Sequence, residues 1–377
     1  MRVGIPTEVK VHEYRVAAPP EGVRELTAAG HRVVVQAGAG TGSAVTDEQF
    51  TSAGAEVLPD ADAVFAEADL IVKVKEPQPE EYERFRSDHV LFTYLHLAAD
   101  ERLTRFLAER GVRAVAYETV QTTDGRLPLL APMSEIAGRM ATQVGAYFLE
   151  KAQGGRGILL GGVTGVRPGK VVVIGGGIAG SNAAAIAAGM QAEVVVLDRD
   201  LAKLRWLDSI YQGRLATVAS NRLTIEQEVL GADLVIGTVL VPGASAPKLV
   251  TEDMVRAMRR GAVLVDVAID QGGCFETSRE TTHEDPVYLV HEVVHYAVGN
   301  IPGAVPHTST YALTNATLPY VVALADLGTP VAIARFPELR SGVNVVGDQV
   351  THGAVAGSLG LPHVAPEEAL AGLSGPR

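Results

Sequence analysis

Short apolar runs alternate with amphipathic segments along most of the chain. Runs of four to seven β-branched or aliphatic residues, bounded by glycine, proline or charge, read as strands. Longer stretches with apolar positions every three or four residues read as helices. Strands are therefore expected over residues 2–6, 31–36, 69–75, 89–95 and 113–120, with helices over 20–30, 47–54, 80–86 and 100–111 between them. Strands separated by helices of this length specify a largely parallel sheet covered on both faces. A long amphipathic helix over 132–151, bounded by Pro128 and Pro132, is a natural hinge between this series and a second one. The second series has strands over 171–174, 193–197, 215–220, 233–240 and 262–268, and the β-branched, aromatic segment 287–298 reads as a further strand. A helix over 309–327 looks like a return to the first series, with a short tail behind it. The fold class is α/β, with two Rossmann-like, doubly wound parallel-sheet domains separated by a cleft and joined by long helices.

Length agrees with that division, since 377 residues exceed what one hydrophobic core usually covers. A hydrophobic content of 47% with 20% charged residues is ordinary globular composition. A net charge of −12 argues against nucleic-acid and anionic-membrane partners, which need a basic surface. The single cysteine, Cys274, excludes an internal disulfide and any cysteine-rich metal site. The first residues lack the apolar core of a signal peptide. The longest weakly polar stretch is the glycine-rich unit described next, and Asn182, Gln191 and Glu193 interrupt it. The expectation is a soluble cytoplasmic protein with no membrane span.

In residues 170–198 a buried strand ends in Gly175-Gly-Gly177-Ile178-Ala-Gly180 and passes into an alanine-rich helix. This is the context the dinucleotide fingerprint requires. Gly175 makes the tight turn, Gly177 lets backbone approach a pyrophosphate, and Gly180 lets helix and strand pack closely. The helix N-terminus then favours the phosphates through its unsatisfied N–H groups and dipole. The next strand ends in Asp198, about twenty residues on, where a ribose-binding acid belongs.

Four side chains could carry chemistry. Arg15 follows the first strand, in the kind of βα loop where open α/β sheets bind ligands, and its planar fork suits a carboxylate; it also reads as a solvated surface arginine. Lys75 closes an expected strand on the same face as Lys73, where an ammonium could polarise a carbonyl or simply be a strand-end charge. His96 ends another strand, and an imidazole is the kind of side chain that carries protons in catalysis, although a lone histidine is often structural. Asp270 follows the strand expected over 263–269 and precedes a glycine turn, at the sheet edge where a nicotinamide would lie; a plain turn aspartate fits as well. His291-Glu-Val-Val-His295 matches the H-E-x-x-H zinc signature, which needs a helix. In a strand the two histidines would stand about 13 Å apart, too far to share an ion, so no metal is expected.

The chain resembles the alanine dehydrogenase family, which is shared with the NAD-binding subunit of proton-pumping transhydrogenase. The likeness runs through Gly4-Ile-Pro-Thr-Glu8, Lys73-Val-Lys75-Glu-Pro77, Leu95-His96-Leu-Ala-Ala99, Ala131-Pro-Met-Ser134-Glu135, Ala268-Ile-Asp270-Gln-Gly-Gly-Cys274, Asn300-Ile-Pro-Gly-Ala-Val-Pro306 and Thr308-Ser-Thr-Tyr-Ala-Leu-Thr-Asn-Ala-Thr317. The resemblance implies reversible NAD-dependent oxidative deamination of L-alanine to pyruvate and ammonium. Arg15 and Lys75 would bind pyruvate, and His96 and Asp270 would be the acid/base pair. It implies NAD contacts from Ser134, Gly175, Gly177, Ile178, Gly180, Asp198, Lys203, Ser220, Val239, Leu240, Val267, Ala268, Ile269, Asp270, Arg279, Val298, Gly299, Asn300 and Ile301. The fingerprint departs at Ile178, where relatives often have threonine. Residues 1–129 with 307–377 would form the substrate domain and 130–306 the NAD-binding domain, in a homohexamer with small-molecule partners only. Rival readings are a relative acting on glycine and glyoxylate, and a non-catalytic NAD(H) sensor. The charge of Asp198 favours NAD over NADP, with Arg199 beside it.

Overall fold

The structure is a computed structural model that describes residues 1–239 and 246–373. Its chain forms two compact units, Met133–Ala304 and Met1–Pro132 together with the described residues from Val305 onward. The first unit starts with strands β1 (Arg2–Ile5), β2 (Arg32–Gln36), β3 (Glu56–Leu58), β4 (Leu70–Val72), β5 (Val90–Thr93) and β6 (Arg113–Ala116). Between them lie helices α1 (Pro20–Ala28), α2 (Asp47–Ser52), α3 (Ala61–Glu67) and α4 (Glu101–Arg110). These six strands run parallel in the spatial order β6-β5-β4-β1-β2-β3. The order reverses between β4 and β1, so the loops leaving those two strands diverge at the carboxyl edge and open a crevice.

The second unit holds most of α5 (Ala131–Phe148) and then alternates β7 (Lys170–Ile174), α6 (Ile178–Gly189), β8 (Glu193–Asp198), α7 (Leu201–Tyr211), β9 (Ala216–Ala219), α8 (Arg222–Leu230), β10 (Leu234–Gly237), α9 (Glu252–Ala257) and β11 (Val263–Asp266). A hairpin, β12 (Val287–Val290) and β13 (Val293–Tyr296), completes the sheet in the order β12-β13-β11-β10-β7-β8-β9. Only β12 runs antiparallel, and the reversal of order falls between β10 and β7. Val171, Val172 and Val173 are fully buried, as a parallel strand covered on both faces requires. Each such side chain contributes roughly 1.5–3 kcal/mol of hydrophobic stabilisation.

The chain returns to the first unit through α10 (Pro306–Arg335), α11 (Leu339–Gly342) and the strands β14 (Val343–Val346) and β15 (Gln349–Val350). β14 pairs antiparallel with β6, which adds to the parallel sheet an edge that the tail did not suggest. The longest apolar helix among the described residues is α10, long and apolar enough to cross a membrane by length and composition; it is not the helix of the glycine-rich unit. Leu313, Val321, Leu324 and Ala332 on α10 are buried, as in a core helix. Thr310 accepts the Val16 N–H at 3.1 Å, Thr314 donates to the Ala17 carbonyl at 3.2 Å, and Gly328 interrupts the helix at φ 70°.

Several boundaries differ from expectation. The expected strands over 69–75 and 89–95 shorten to Leu70–Val72 and Val90–Thr93; β4 loses its partner on one side where β1 ends at Ile5. The expected strand over 113–120 turns into a 3₁₀ turn at Tyr117–Thr119, and the expected helix over 80–86 is a 3₁₀ segment, Pro79–Arg84. The expected strand over 263–269 stops at Asp266 and is followed by the 3₁₀ turn Ile269–Gln271. The expected single strand over 287–298 is two strands, because His291 and Glu292 both adopt positive φ, 49° and 62°, and form the hairpin turn. Neither is the glycine or asparagine that usually marks such a turn. β3 and α3 are not among the expected elements.

Candidate active site

In the second unit the fingerprint residues form a turn made almost wholly of backbone. Gly175 has φ 107°, and a Cβ on Gly180 would lie 1.7 Å from the Gly175 carbonyl oxygen. Around Gly177, by contrast, a Cβ would meet nothing within 4 Å. Gly177 is also the N-cap of α6 and supplies no side-chain cap, so the first-turn amides face that open space. The apolar Ile178 side chain is exposed at its rim. Asp198, at the end of β8, accepts the Gly176 N–H at 2.6 Å and the Asp200 N–H at 2.8 Å, bracing the turn. Thr238 ties the neighbouring loop to it by donating to the Gly175 carbonyl at 2.9 Å. The residues fit a dinucleotide pyrophosphate: donors are aimed outward, with room at the one glycine where a phosphate must approach.

The remaining expected cofactor positions divide into groups. The Lys203 ammonium is exposed, 3.8 Å from Asp198, and the Ser220 N–H donates to the Asp198 carbonyl at 2.9 Å. Ser134 lies in the first turn of α5, which packs tightly on α6: a Cβ on Gly138 would come within 2.0 Å of the Ala179 carbonyl. Val239 accepts from the Cys274 thiol at 3.5 Å, while Leu240 lies outside the described residues.

Beyond β11, Val267 continues the ladder, Ala268 and Ile269 are buried, and Asp270 is exposed. Asp266, which the sequence reading passed over, organises this loop. Its carboxylate accepts the amides of Ala268 and Cys274 at 3.2 and 2.9 Å and the Ser278 hydroxyl at 2.5 Å; burial pushes its carboxyl up although these bonds oppose it. Asp270 accepts the Asn300 N–H at 3.3 Å, so Asp270, Gly299 and Asn300 come together between the buried Val298 and Ile301. Arg279 instead stacks on Tyr288, with its guanidinium 4.0 Å above the ring centre.

In the first unit, Arg15, Lys75 and His96 leave β1, β4 and β5 at one edge of the sheet, and the first two flank the point where strand order reverses. The fork expected to face an external carboxylate is engaged by a protein one. Arg15 is buried, and its Nε and Nη2 donate to the Glu13 carboxylate at 2.6 and 2.5 Å. Burial alone would push the Glu13 carboxyl up, but the bonds and charge of Arg15 hold it below the usual carboxylate range. Lys75 is half-buried, and its charge reaches both Glu13 and Glu76. Lys73, which shares its alternation, belongs to the core instead, at 3.2 Å from Glu8 and 2.8 Å from Glu81. His96 is exposed with φ 52°, donates its N–H to Glu118 at 2.6 Å and stacks on Tyr94 with ring centres 6.0 Å apart. Glu13, Glu118 and Tyr94 were not singled out from sequence, because nothing in their spacing sets them apart. Two cations and a solvent-facing imidazole leaving one sheet edge are the groups that bind a small anionic carbonyl compound and move its protons.

The H-E-x-x-H residues occupy the hairpin. His291 bonds to Glu252 at 2.8 Å, while His295 lies between the Thr277 hydroxyl at 2.7 Å and the Val293 carbonyl at 3.0 Å. Among the described residues no group of three or more His, Cys, Asp or Glu is gathered to hold a metal ion.

Comparison with known proteins agrees over the whole chain. The family description "Alanine dehydrogenase/PNT, N-terminal domain" matches residues 4–137, and "Alanine dehydrogenase/PNT, C-terminal domain" matches residues 141–353. The alanine dehydrogenase of Mycobacterium tuberculosis is 57% identical over 371 residues, covering 98% of this chain and 100% of that one. That of Halomonas elongata is 56% identical over 364 residues, covering 97% and 98%. A solved structure of L-alanine dehydrogenase superposes with a TM-score of 0.93 at 49% identity, covering 96% of this chain and 99% of the other. With both domain descriptions and near full-length relatives in agreement, the chain belongs to the alanine dehydrogenase/PNT family.

Proposed function

We propose that this chain is an alanine dehydrogenase, interconverting L-alanine, NAD⁺ and water with pyruvate, ammonium and NADH. The observation that carries the reading is the convergence of Arg15, Lys75 and His96 on adjoining loops at one sheet edge, in a chain whose relatives bear that name along their whole length. The first unit binds the substrate and the second binds the nucleotide. NAD, when bound, accepts a hydride from the substrate Cα. The turn from Gly175 to Gly180 would hold its pyrophosphate and Asp198 its adenosine ribose, where the carboxylate charge would repel the extra phosphate of NADP. Ser134, Lys203, Ser220, Arg279 and the segments around Val267–Asp270 and Val298–Ile301 complete the cofactor site.

Arg15, held rigid by Glu13, and Lys75 bind the carboxylate and carbonyl of pyruvate. Loss of the hydride leaves a C=N bond at Cα; His96 takes a proton from the water that adds to it and returns that proton to the nitrogen that leaves as ammonia. Asp270, joined to Asn300, is the second acid/base group. A single buried cysteine suits a reducing, cytoplasmic setting. The homohexamer implied by the resemblance belongs to the same reading and is tested by sedimentation.

The deciding experiment follows NADH absorbance with pyruvate and ammonium, beside glyoxylate as substrate and NADPH as cofactor. Fast turnover with pyruvate and NADH alone supports the reading in full. Preference for glyoxylate moves the substrate to glycine, and tight NADH binding without turnover on any keto acid leaves only a nucleotide sensor.

A further inference from the structure

Lys75 carries its role from a place where the regular sheet has already ended. β4 stops at Val72 and β1 stops at Ile5, so the amides of Val74 and Lys75 face a side with no strand left to accept them. Buried amides need an acceptor, and a side chain supplies it. The Glu8 carboxylate, itself buried, accepts the Val74 N–H at 2.6 Å through one oxygen and the Lys75 N–H at 3.2 Å through the other. On the opposite side the hydroxyl of the fully buried Thr93 donates to the Lys75 carbonyl at 3.0 Å. Glu8 is held in turn by the Lys73 ammonium at 3.2 Å, which Glu81 shares at 2.8 Å. Both peptide groups of Lys75 are thus fixed by side chains from β5 and from the loop after β1.

We propose that Glu8 and Thr93 are positioning residues that aim the Lys75 ammonium at the substrate, Glu8 acting in place of a missing strand. The inference rests on the assignment of pyruvate binding to Lys75. An ammonium on a four-carbon stem samples many directions, so its contribution to binding depends on how firmly its backbone is anchored. Lys73 is not itself a substrate group: it orients Glu8 inside the core, and its charge opposes the burial that pushes the Glu8 carboxyl up.

The test uses Glu8→Gln, Thr93→Val and Lys75→Ala, singly and with each of the first two combined with the third. Pyruvate binding to the enzyme–NADH complex is titrated by NADH fluorescence without ammonium, and the KM for pyruvate and the Kd for NADH are measured alongside. The Glu8→Gln change keeps the shape but turns an amide N–H₂ toward the donors that the carboxylate now satisfies. We expect pyruvate binding to weaken about tenfold in Glu8→Gln and roughly threefold in Thr93→Val. The Kd for NADH should not change, and neither substitution should add a loss in the Lys75→Ala background. Unchanged pyruvate binding in folded Glu8→Gln or Thr93→Val, beside a clear loss in Lys75→Ala, overturns the proposal. So does a full additional loss in the double variants. If Lys75→Ala itself binds pyruvate normally, the assignment of Lys75 fails and the proposal falls with it. Thr93→Val removes no charge and decides alone if Glu8→Gln does not fold.

Discussion

The second unit presents its ligand-facing donors on backbone, whereas the first braces side-chain cations with carboxylates. In the glycine turn the donors are amides, and the turn requires one glycine for its φ, one for approach and one for packing. In the first unit Arg15 is gripped by Glu13, Lys75 is anchored through Glu8 and Thr93, and the His96 backbone is held by Glu118. A backbone turn is rigid because its dihedral angles are restricted. A side-chain site becomes rigid only when neighbours restrict it: Glu13 does so on the Arg15 guanidinium itself, while at Lys75 and His96 side chains fix the backbone from which the reactive group extends.

The largest expected effect separates the two units directly. His96→Ala should lower kcat by roughly 10²–10⁴ in both directions, while the Kd for NADH stays at the wild-type value. A parallel loss of NADH affinity would show that the first unit shapes the nucleotide site and would break the contrast.

Within the turn itself the two glycines should behave oppositely. Gly180→Ala drives a methyl into the Gly175 carbonyl, so a destabilisation of about 1–3 kcal/mol or more is expected, read as a lower Tm and lost NADH binding. Gly177→Ala meets open space and should leave Tm within about 2 °C while weakening NADH binding, because it occupies the approach path. Equal Tm changes would mean that packing and phosphate approach are not divided between these positions.

The smallest effect tests what the units share. Each holds a buried histidine, His89 in the first and His295 in the second, that burial pushes down to about 4. The unfolded chain takes up those protons from about pH 6.5, the folded chain not until about pH 4. The unfolded state therefore binds more protons across that interval, so their contribution is complete above about pH 6.5 and is lost as pH falls toward 4. Tm should decline over that window, and His89→Gln or His295→Gln should flatten the decline. A Tm independent of pH there would refute it.

Legibility from sequence follows the same division. The strand, glycine turn, helix and Asp198 all lie within thirty residues of chain, so local spacing reports them. Arg15, Lys75 and His96 could be found because each follows a readable strand, even though those strands end one to three residues earlier than expected. Their supports could not. Glu8, Glu13 and Glu118 are ordinary acids until the fold brings them against backbone amides or a guanidinium. The His291-Glu292 turn escaped notice because its positive φ values fall on residues that seldom adopt them.

The buried trio of Glu8, Lys73 and Glu81 also constrains the protein's history. Replacing either glutamate by glutamine leaves Lys73 one carboxylate, but replacing Lys73 first strands two acids in the core. Breaking a buried ion pair from one side costs about 3–5 kcal/mol, against a total stability of roughly 5–15 kcal/mol. The cheaper first step toward an apolar core at this place is therefore the loss of one acid, which leaves a matched pair, and the order of substitutions is set by electrostatics.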